Sequence, residues 1–451
     1  MNYFFKLLKI TLVIYVLYLV YLILFTLNSV LFLSVFSVLV TLLLSVLFKT
    51  RRSPFSPKFI ISFWFLVSYV FPLAFLINQV ESNYLLGDKS MYSNVAILTE
   101  SMIVVLIAYV GVLLATNIRL KKTFVLWKKT INRISKGSLN YLIIIICFVW
   151  FVLSYFLRKE YQLGVAGSQP IITSYAGVLQ YLLFNGNIVI LSYLFIYCFK
   201  NKKKYLFPVL LVAFTLIASQ ALLGWRGDVI KILLLLVSLF YFVKISMKKI
   251  NNKLTTRKKS IKISKKYVYI SLILIPLMIN MGDLNRSEKI GRGFQETSIL
   301  KYLTKFMLRG QGLTRLIYVV NEEDSSFSLT NNFFFLKLED MSSINYIDRK
   351  LYNIDPKYSN STGGGGIGNS YLSMGLLGVF FTYFMIALVY HVFYNRLINM
   401  GLNPFLVVCY GQMMMLLPNY IMENTGLFML KEFLVIILLS YFYGVLINKK
   451  A

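Results

Sequence analysis

Long apolar runs separated by short polar segments make up almost all of this chain. Each run approaches the ~20 residues that a helix needs to cross the hydrocarbon core of a bilayer. A run of this length satisfies its backbone hydrogen bonds in that core only as a helix. The pattern therefore predicts an all-α polytopic membrane protein with about 12 transmembrane helices. The predicted spans are residues 10–27, 28–48, 59–80, 95–117, 139–157, 177–199, 205–223, 228–244, 267–282, 367–393, 404–421 and 427–447.

Composition supports this fold class. Hydrophobic residues make up 58% of the 451 positions and charged residues 14%, with a mean hydropathy of +0.70. A soluble protein of this size would expose too much apolar surface. The net charge of +30 does not indicate nucleic acid binding, because the basic residues are scattered between apolar runs and do not form one polar face.

One long segment, residues 283–366, is too polar to cross a membrane and holds ten of the 17 carboxylates. It divides the chain into helices 1–9 (1–282), a large loop (283–366) and helices 10–12 (367–451). From Glu296 to Val320 apolar positions recur at helical spacing, which predicts an amphipathic helix at the membrane interface. Arg315 lies close to the apolar face of that helix.

The charged residues indicate which side of the membrane each connection occupies. The connections that follow the even-numbered spans, together with both termini, hold 30 of the 47 basic residues and no carboxylate. The positive-inside rule places them in the cytoplasm, and the large loop outside. Enzymes that use cytosolic nucleotide donors usually need carboxylates on the cytoplasmic side, so this class is excluded and any chemistry is expected at the extracytoplasmic face.

Two outer segments carry arginines next to glycines and carboxylates. Arg226 and Asp228 lie in a turn between spans seven and eight, and Arg286, Glu288 and Arg292 open the large loop. Arginine binds phosphate bidentately, so these segments are candidate anion sites. The plainer interpretations are an interfacial anchor with a local Arg226–Asp228 ion pair and a solvated charged turn.

The large loop closes with consecutive glycines, Gly363, Gly364, Gly365 and Gly366, followed by Tyr371. Such a segment fits a hinge or the close approach of a saccharide, and equally a flexible linker.

The remaining polar or small residues of the spans are predicted to be structural. Gly375 and Gly378 are expected to permit close helix packing. Glu100 is an ionisable residue expected in the outer part of its span. We predict a packing role for His391 and for the cysteines, which are Cys147, Cys198 and Cys409.

This arrangement resembles the Wzy family, the polymerases of O-antigen and capsular oligosaccharide repeat units. The resemblance rests on about twelve helices, a large outer loop between late spans, the Arg226-Gly227 turn and the glycine-rich return from Gly363 to Gly368. It implies a multi-pass protein of the bacterial cytoplasmic (inner) membrane with an extracytoplasmic active site.

The implied reaction transfers a glycan from polyprenyl diphosphate to a sugar hydroxyl of another lipid-linked repeat unit. Arginines would stabilise the leaving diphosphate and a carboxylate would take the acceptor proton. This assigns Arg226, Arg286, Arg292 and Arg315 to the diphosphate, and one of Asp228, Glu288 and Glu296 to the base. No metal or other cofactor is expected. The expected partners are polyprenyl-diphosphate-linked oligosaccharides, membrane lipids, and flippase and chain-length regulator proteins.

Two alternatives share the membrane-bound, lipid-linked substrate. A lipid-linked glycan ligase uses the same donor, but ligases commonly use an outer-loop histidine, and His391 is the one histidine of this sequence. A lipid-linked oligosaccharide flippase also has about twelve helices, but its loops are short. The polymerase is therefore the favoured prediction.

Overall fold

The computed structural model describes residues 2–27, 29–50, 53–77, 89–119, 145, 147–153, 156, 184–196, 206–223, 232, 235–242, 312–321, 365–400, 404–422 and 434–442. These residues are almost entirely helical and include no strand. The α-helices are α1 (Asn2–Leu22), α2 (Val30–Thr50), α3 (Pro57–Phe65), α4 (Phe71–Ile77), α5 (Val95–Asn117), α6 (Phe184–Ile196), α7 (Leu206–Leu223), α8 (Gly312–Asn321), α9 (Gly365–Met400) and α10 (Pro404–Met422). Helical turns of other types cover Ile23–Leu27 and Leu66–Val70 (π) and Lys89–Ser93 (3-10).

Five stretches of the described helices are long and apolar enough to cross a membrane: Ile10–Leu27, Val30–Thr50, Pro57–Ala74, Val95–Asn117 and Met374–Ile398. Several large apolar side chains on helices point outward, among them Phe25 and Phe214, each 72% exposed. Apolar surface of this kind is stable against lipid and costly in water. These features are those of a membrane protein.

The chain forms two compact units. The first contains residues 1–120, 297–394 and 417–431, and the second contains 121–296, 395–416 and 432–451. In the second unit, the Tyr193 hydroxyl donates to the carbonyl of Ser440 at 2.8 Å, and Phe242 meets Tyr410 edge to face. Helix α10 also approaches residues 235–242 closely. A Cβ on Gly411 would lie only 3.0 Å from Leu235 Cδ1.

The core of the first unit is an aromatic cluster. Phe65 packs its ring against Tyr69, Tyr109 and Tyr383 at centroid distances of 5.4–5.5 Å, and all four side chains are fully buried. The Tyr109 hydroxyl is 2.7 Å from the hydroxyl of Ser62, and that of Tyr69 donates to the carbonyl of Ile421 at 2.7 Å. The polar atoms of these two tyrosines are therefore satisfied inside an apolar core.

A π-helical segment, Leu66–Val70, separates α3 from α4 within one continuous span. Pro72 follows two residues after the segment ends, and a proline in a helix removes one backbone donor and clashes with the carbonyl four residues earlier. The backbone N–H of Phe71 accordingly donates to the carbonyl of Leu66, five residues before it. Single-turn π segments of this type occur frequently at functional sites.

Helix α9 is broken near its N-terminal end. Met374 and Gly375 leave helical geometry, and Gly375 has φ 60° and ψ −147°, a region that only glycine enters readily. A Cβ on Gly378 would lie 2.6 Å from Met374 Cβ and from the Ser370 carbonyl oxygen. The prediction that Gly375 and Gly378 permit packing between helices therefore differs from the structure, where both serve the bend within α9.

Helices α5 and α9 run parallel and in close contact. At one end Tyr371 bonds to Glu100, and at the other His391 Nε2 lies 3.0 Å from the carbonyl oxygen of Ile118. Between these contacts, a Cβ on Gly111 would lie 2.7 Å from the carbonyl oxygen of Phe380. A small residue thus lets the two backbones meet, as is common between membrane helices.

Most predicted spans that fall on described residues are helical. Span 95–117 coincides with α5, and spans 205–223, 367–393 and 404–421 lie within α7, α9 and α10 apart from one residue. Four further spans are described in part, at 145–156, 184–196, 232–242 and 434–442, whereas span 267–282 lies outside the described residues. The helical fold class is confirmed, and the number of about twelve spans stays a prediction.

Candidate functional site

The short helix α8 is buried in the first unit. Every residue from Gly312 to Val320 is buried, and the helix packs against α5, the π-helical segment, α4 and the 3-10 turn. The predicted amphipathic helix is thus helical from Gly312, and residues 296–311 lie outside the described range. Unlike a helix lying on an interface, α8 exposes no polar face before Asn321.

Two glycines allow α8 to pack so closely. A Cβ on Gly312 would lie 3.0 Å from ring carbons of Tyr69, and one on Gly368 would lie 3.3 Å from Val319 Cγ2 and 3.8 Å from the Leu316 Cα. The π-helical segment therefore meets one end of α8, and the first turn of α9 lies against its middle.

Arg315 is the charged residue of α8, and only 7% of it is exposed. It lies near enough to act electrostatically on the Tyr69 hydroxyl. Removing a guanidinium from water costs several kcal/mol, so a buried arginine among apolar helices needs negative or polar groups around it. In membrane proteins, ionisable residues buried among apolar helices are candidates for functional sites.

Glu100 and Tyr371 form a polar pair on the two helices that flank this region. The Tyr371 hydroxyl donates to Glu100 Oε1 at 2.9 Å. Helix α5 begins after Asn94, whose side-chain oxygen accepts from the N–H of Ala96 at 3.0 Å. At 1.5 Å per residue, Glu100 lies about 8 Å along the helix from its first residue. A half-buried carboxylate is thereby held inside a predicted span.

Glu100 and Arg315 do not pair with each other. Among the residues that the structure describes, Glu100 makes no ion pair and accepts a hydrogen bond from Tyr371 alone. Its second oxygen, Oε2, is therefore not used by the described residues. The unit thus holds a cation on α8 and a carboxylate on α5, which packs against α8.

Buried hydroxyl groups add to the polar character of this region. Ser68 lies in the π-helical segment and Ser101 follows Glu100. Both are fully buried, and their hydroxyls have no hydrogen-bond partner in the described part of the chain. A buried hydroxyl without a partner costs about 1–3 kcal/mol, which a polar ligand could offset.

The opposite end of the unit has different chemistry. His391 bonds to the end of α5 as a packing residue, and Lys58 Nζ donates to the side-chain oxygen of Asn117. Exposed Arg119 follows. Lys58, Arg119 and His391 thus lie at the end of the unit remote from Glu100 and Tyr371, whereas Lys89 lies in the 3-10 turn just before α5.

The structure describes part of the predicted site. Arg315 and Tyr371 lie in the first unit with Gly365 and Gly366, which form the start of α9. The other predicted site residues lie outside the described ranges: Arg226, Asp228, Arg286, Glu288, Arg292, Glu296, Gly363 and Gly364.

Glu100 is not among the site residues predicted from the sequence. Its signal was a carboxylate inside an otherwise apolar run. Its partner, Tyr371, is 271 residues away in sequence, so the pair itself left no local pattern.

Metal-ligating side chains do not cluster in threes anywhere in the described ranges. Cys147 and Cys409 are buried and free, as expected of packing residues, and Cys198 lies outside the described residues.

No protein family, curated protein or solved structure matches this chain.

Proposed function

We propose that this protein is a polysaccharide polymerase that acts on lipid-linked oligosaccharide repeat units at the extracytoplasmic face of a bacterial cytoplasmic membrane. The observation that carries the proposal is Arg315, buried on a short helix within an apolar helical unit. A guanidinium in such surroundings suits a polyanionic, membrane-bound group, and a polyprenyl diphosphate is one.

The strength of this interaction can be estimated. Each hydrogen bond to a charged group contributes about 1.5–3 kcal/mol, so two bonds from Arg315 to a diphosphate contribute about 3–6 kcal/mol. As the sugar leaves, negative charge develops on the diphosphate, and a cation fixed beforehand stabilises the transition state more than the ground state. Arg315 would then raise the rate of transfer as well as bind the donor.

The distribution of charge supports an extracytoplasmic site. Loops predicted to be cytoplasmic hold no carboxylate, and Glu100 and Tyr371 lie at the end of α5 and α9 opposite Lys58 and Arg119. With the basic end in the cytoplasm, Glu100 and Tyr371 face the outer leaflet, where repeat units await polymerisation.

The remaining proposed site residues lie in the large loop and in the turn at Arg226. Arg226, Arg286 and Arg292 are further residues proposed from sequence to bind the diphosphates of the lipid-linked substrates. Asp228, Glu288 and Glu296 are the carboxylates proposed from sequence for the proton transfer. A flippase and a chain-length regulator are the proposed protein partners, since units must reach the outer leaflet and chains must end.

The test is gel analysis of lipid-linked and surface glycan in a strain that lacks this gene. The polymerase predicts that single repeat units accumulate on the outer leaflet and that surface polymer is lost. Absence of outer-leaflet units would indicate a flippase, and long chains retained on polyprenyl diphosphate would indicate a ligase. Either of these two results would overturn the proposal.

A further inference from the structure

Glu100 is the one carboxylate among the residues that the structure describes, and it lies in the second turn of a predicted membrane span. A carboxylate there is expensive unless it is bonded and used. One hydrogen bond, from Tyr371 at 2.9 Å, orients it. A purely structural bond between α5 and α9 would not require a charged acceptor, because serine or asparagine could accept the same bond.

The geometry around Glu100 suits a group that receives a proton. Tyr371 engages Oε1, so the carboxylate is fixed while Oε2 remains unused by the described residues. Arg315 lies on α8, which packs against α5, but it forms no ion pair with Glu100. A general base needs this combination of a held carboxylate and an oxygen open to the substrate.

The elements that carry the pair also contact α8. Helix α5 packs against α8, and Gly368, one turn before Tyr371 in α9, lies against Leu316 and Val319. Leu316 is the neighbour of Arg315 in sequence. The carboxylate and the cation thus lie on helices that contact each other. Arg315 is on α8, and Glu100 and Tyr371 are on α5 and α9.

We propose that Glu100, held by Tyr371, is the catalytic base that takes the proton of the acceptor sugar hydroxyl. This inference rests on the proposed polymerase function and replaces the three loop carboxylates in that role. The acceptor oxygen forms a bond to the anomeric carbon of the donor as its O–H proton moves to Glu100 Oε2. The bond from the anomeric carbon to the diphosphate oxygen breaks, and its electron pair leaves on the diphosphate, which Arg315 stabilises. Release of the proton to water restores Glu100.

Tyr371 is a positioning residue in this scheme. Its hydroxyl holds Oε1 so that Oε2 faces the acceptor, and it lies on the short arm of α9 before the bend at Gly375. Loss of this hydroxyl leaves the base in place but less well oriented. A smaller effect than loss of the carboxylate is expected.

The experiment uses the purified full-length protein in liposomes, with lipid-linked repeat units extracted from the strain that lacks the gene. For E100Q we expect turnover to fall by about 10²–10⁴-fold, the usual contribution of a general base, while binding of the radiolabelled lipid-linked unit is unchanged. Y371F should lose about 10- to 100-fold, the value of one hydrogen bond to a charged group. Glu81→Gln, the same change of charge in the preceding connection, is the matched control and should retain wild-type turnover.

A second variant separates chemistry from structure. E100A removes the carboxylate and leaves space, so added formate should restore part of its turnover, which a structural role would not explain. Wild-type turnover in E100Q would overturn the role of Glu100. The same holds if E100Q is active while E100A is inactive and formate does not restore it. If the wild-type protein itself forms no polymer, the polymerase proposal fails instead, so the two failures are distinguishable.

Discussion

Among single residues, Arg315 matters most to the proposed site because of its charge. We expect R315Q to reduce polymerisation by about 10²–10⁴-fold, because loss of two hydrogen bonds of about 1.5–3 kcal/mol each changes a rate tenfold per 1.4 kcal/mol. R315K keeps the charge but loses the bidentate geometry of the guanidinium. Its polymerisation rate should therefore lie between the rates of R315Q and the wild type. Rates are measured with lipid-linked repeat units.

The matched control is R119Q, which removes the same charge from the exposed end of α5 and should leave the rate unchanged. Binding should respond as well, since R315Q, unlike E100Q, is expected to weaken retention of the lipid-linked unit. Normal polymer length from R315Q protein present at wild-type levels would contradict a diphosphate site at this residue.

The site residues differ in how visible they are in sequence. Arg315 is predictable from its place close to an apolar face, and the structure buries it. Glu100 was visible as a carboxylate in an apolar run, but its bond to Tyr371 spans 271 residues. A local pattern in the sequence indicates that a charge lies in an apolar run. Only the packing of α5 on α9 shows which residue that charge contacts.

At the scale of elements, the bend in α9 determines where Tyr371 points. Gly375 has ψ −147° with φ 60°, which lies outside the left-handed helical region that asparagine tolerates. We expect both G375A and G375N to lower the free energy of unfolding by about 1–3 kcal/mol. The space around its Cβ is open, so strain and not a clash is the cause. Unfolding in a graded detergent series gives the measurement.

The comparison of alanine with asparagine supplies the control for this prediction. If G375N matched the wild type while G375A did not, residue 375 would adopt the left-handed helical conformation and the described bend would be wrong. We also expect both variants to polymerise more slowly, because the helical segment from Gly365 to Ser373, which carries Tyr371, would change its orientation.

Helix bounds were easier to predict from sequence than breaks within helices. Hydropathy locates α5 to the residue, because the boundary between apolar and polar residues coincides with its Asn94 cap. The π-helical segment before Pro72 and the bend at Gly375 lie inside apolar runs. Hydropathy reports whether a segment suits lipid, but the register of its backbone hydrogen bonds depends on single residues and on tertiary contacts.

At the scale of the whole molecule, the charge distribution predicts which end of α5 and α8 is outside. In a variant with Cys147, Cys198 and Cys409 replaced by alanine, N321C should react with a membrane-impermeant maleimide in intact bacterial spheroplasts. R119C should react only after permeabilisation. Both side chains are exposed, so accessibility within the protein does not limit labelling. The reverse pattern would place the site in the cytoplasm and contradict the extracytoplasmic reaction.

Reconstitution tests whether this chain by itself joins lipid-linked repeat units. Purified wild-type protein in liposomes receives single units on polyprenyl diphosphate, and the products are separated on a gel. We expect a ladder of glycans that lengthens with time, with one polyprenyl diphosphate released for each joining step. Units that remain single, with R315Q and wild-type proteins giving identical gels, would contradict it.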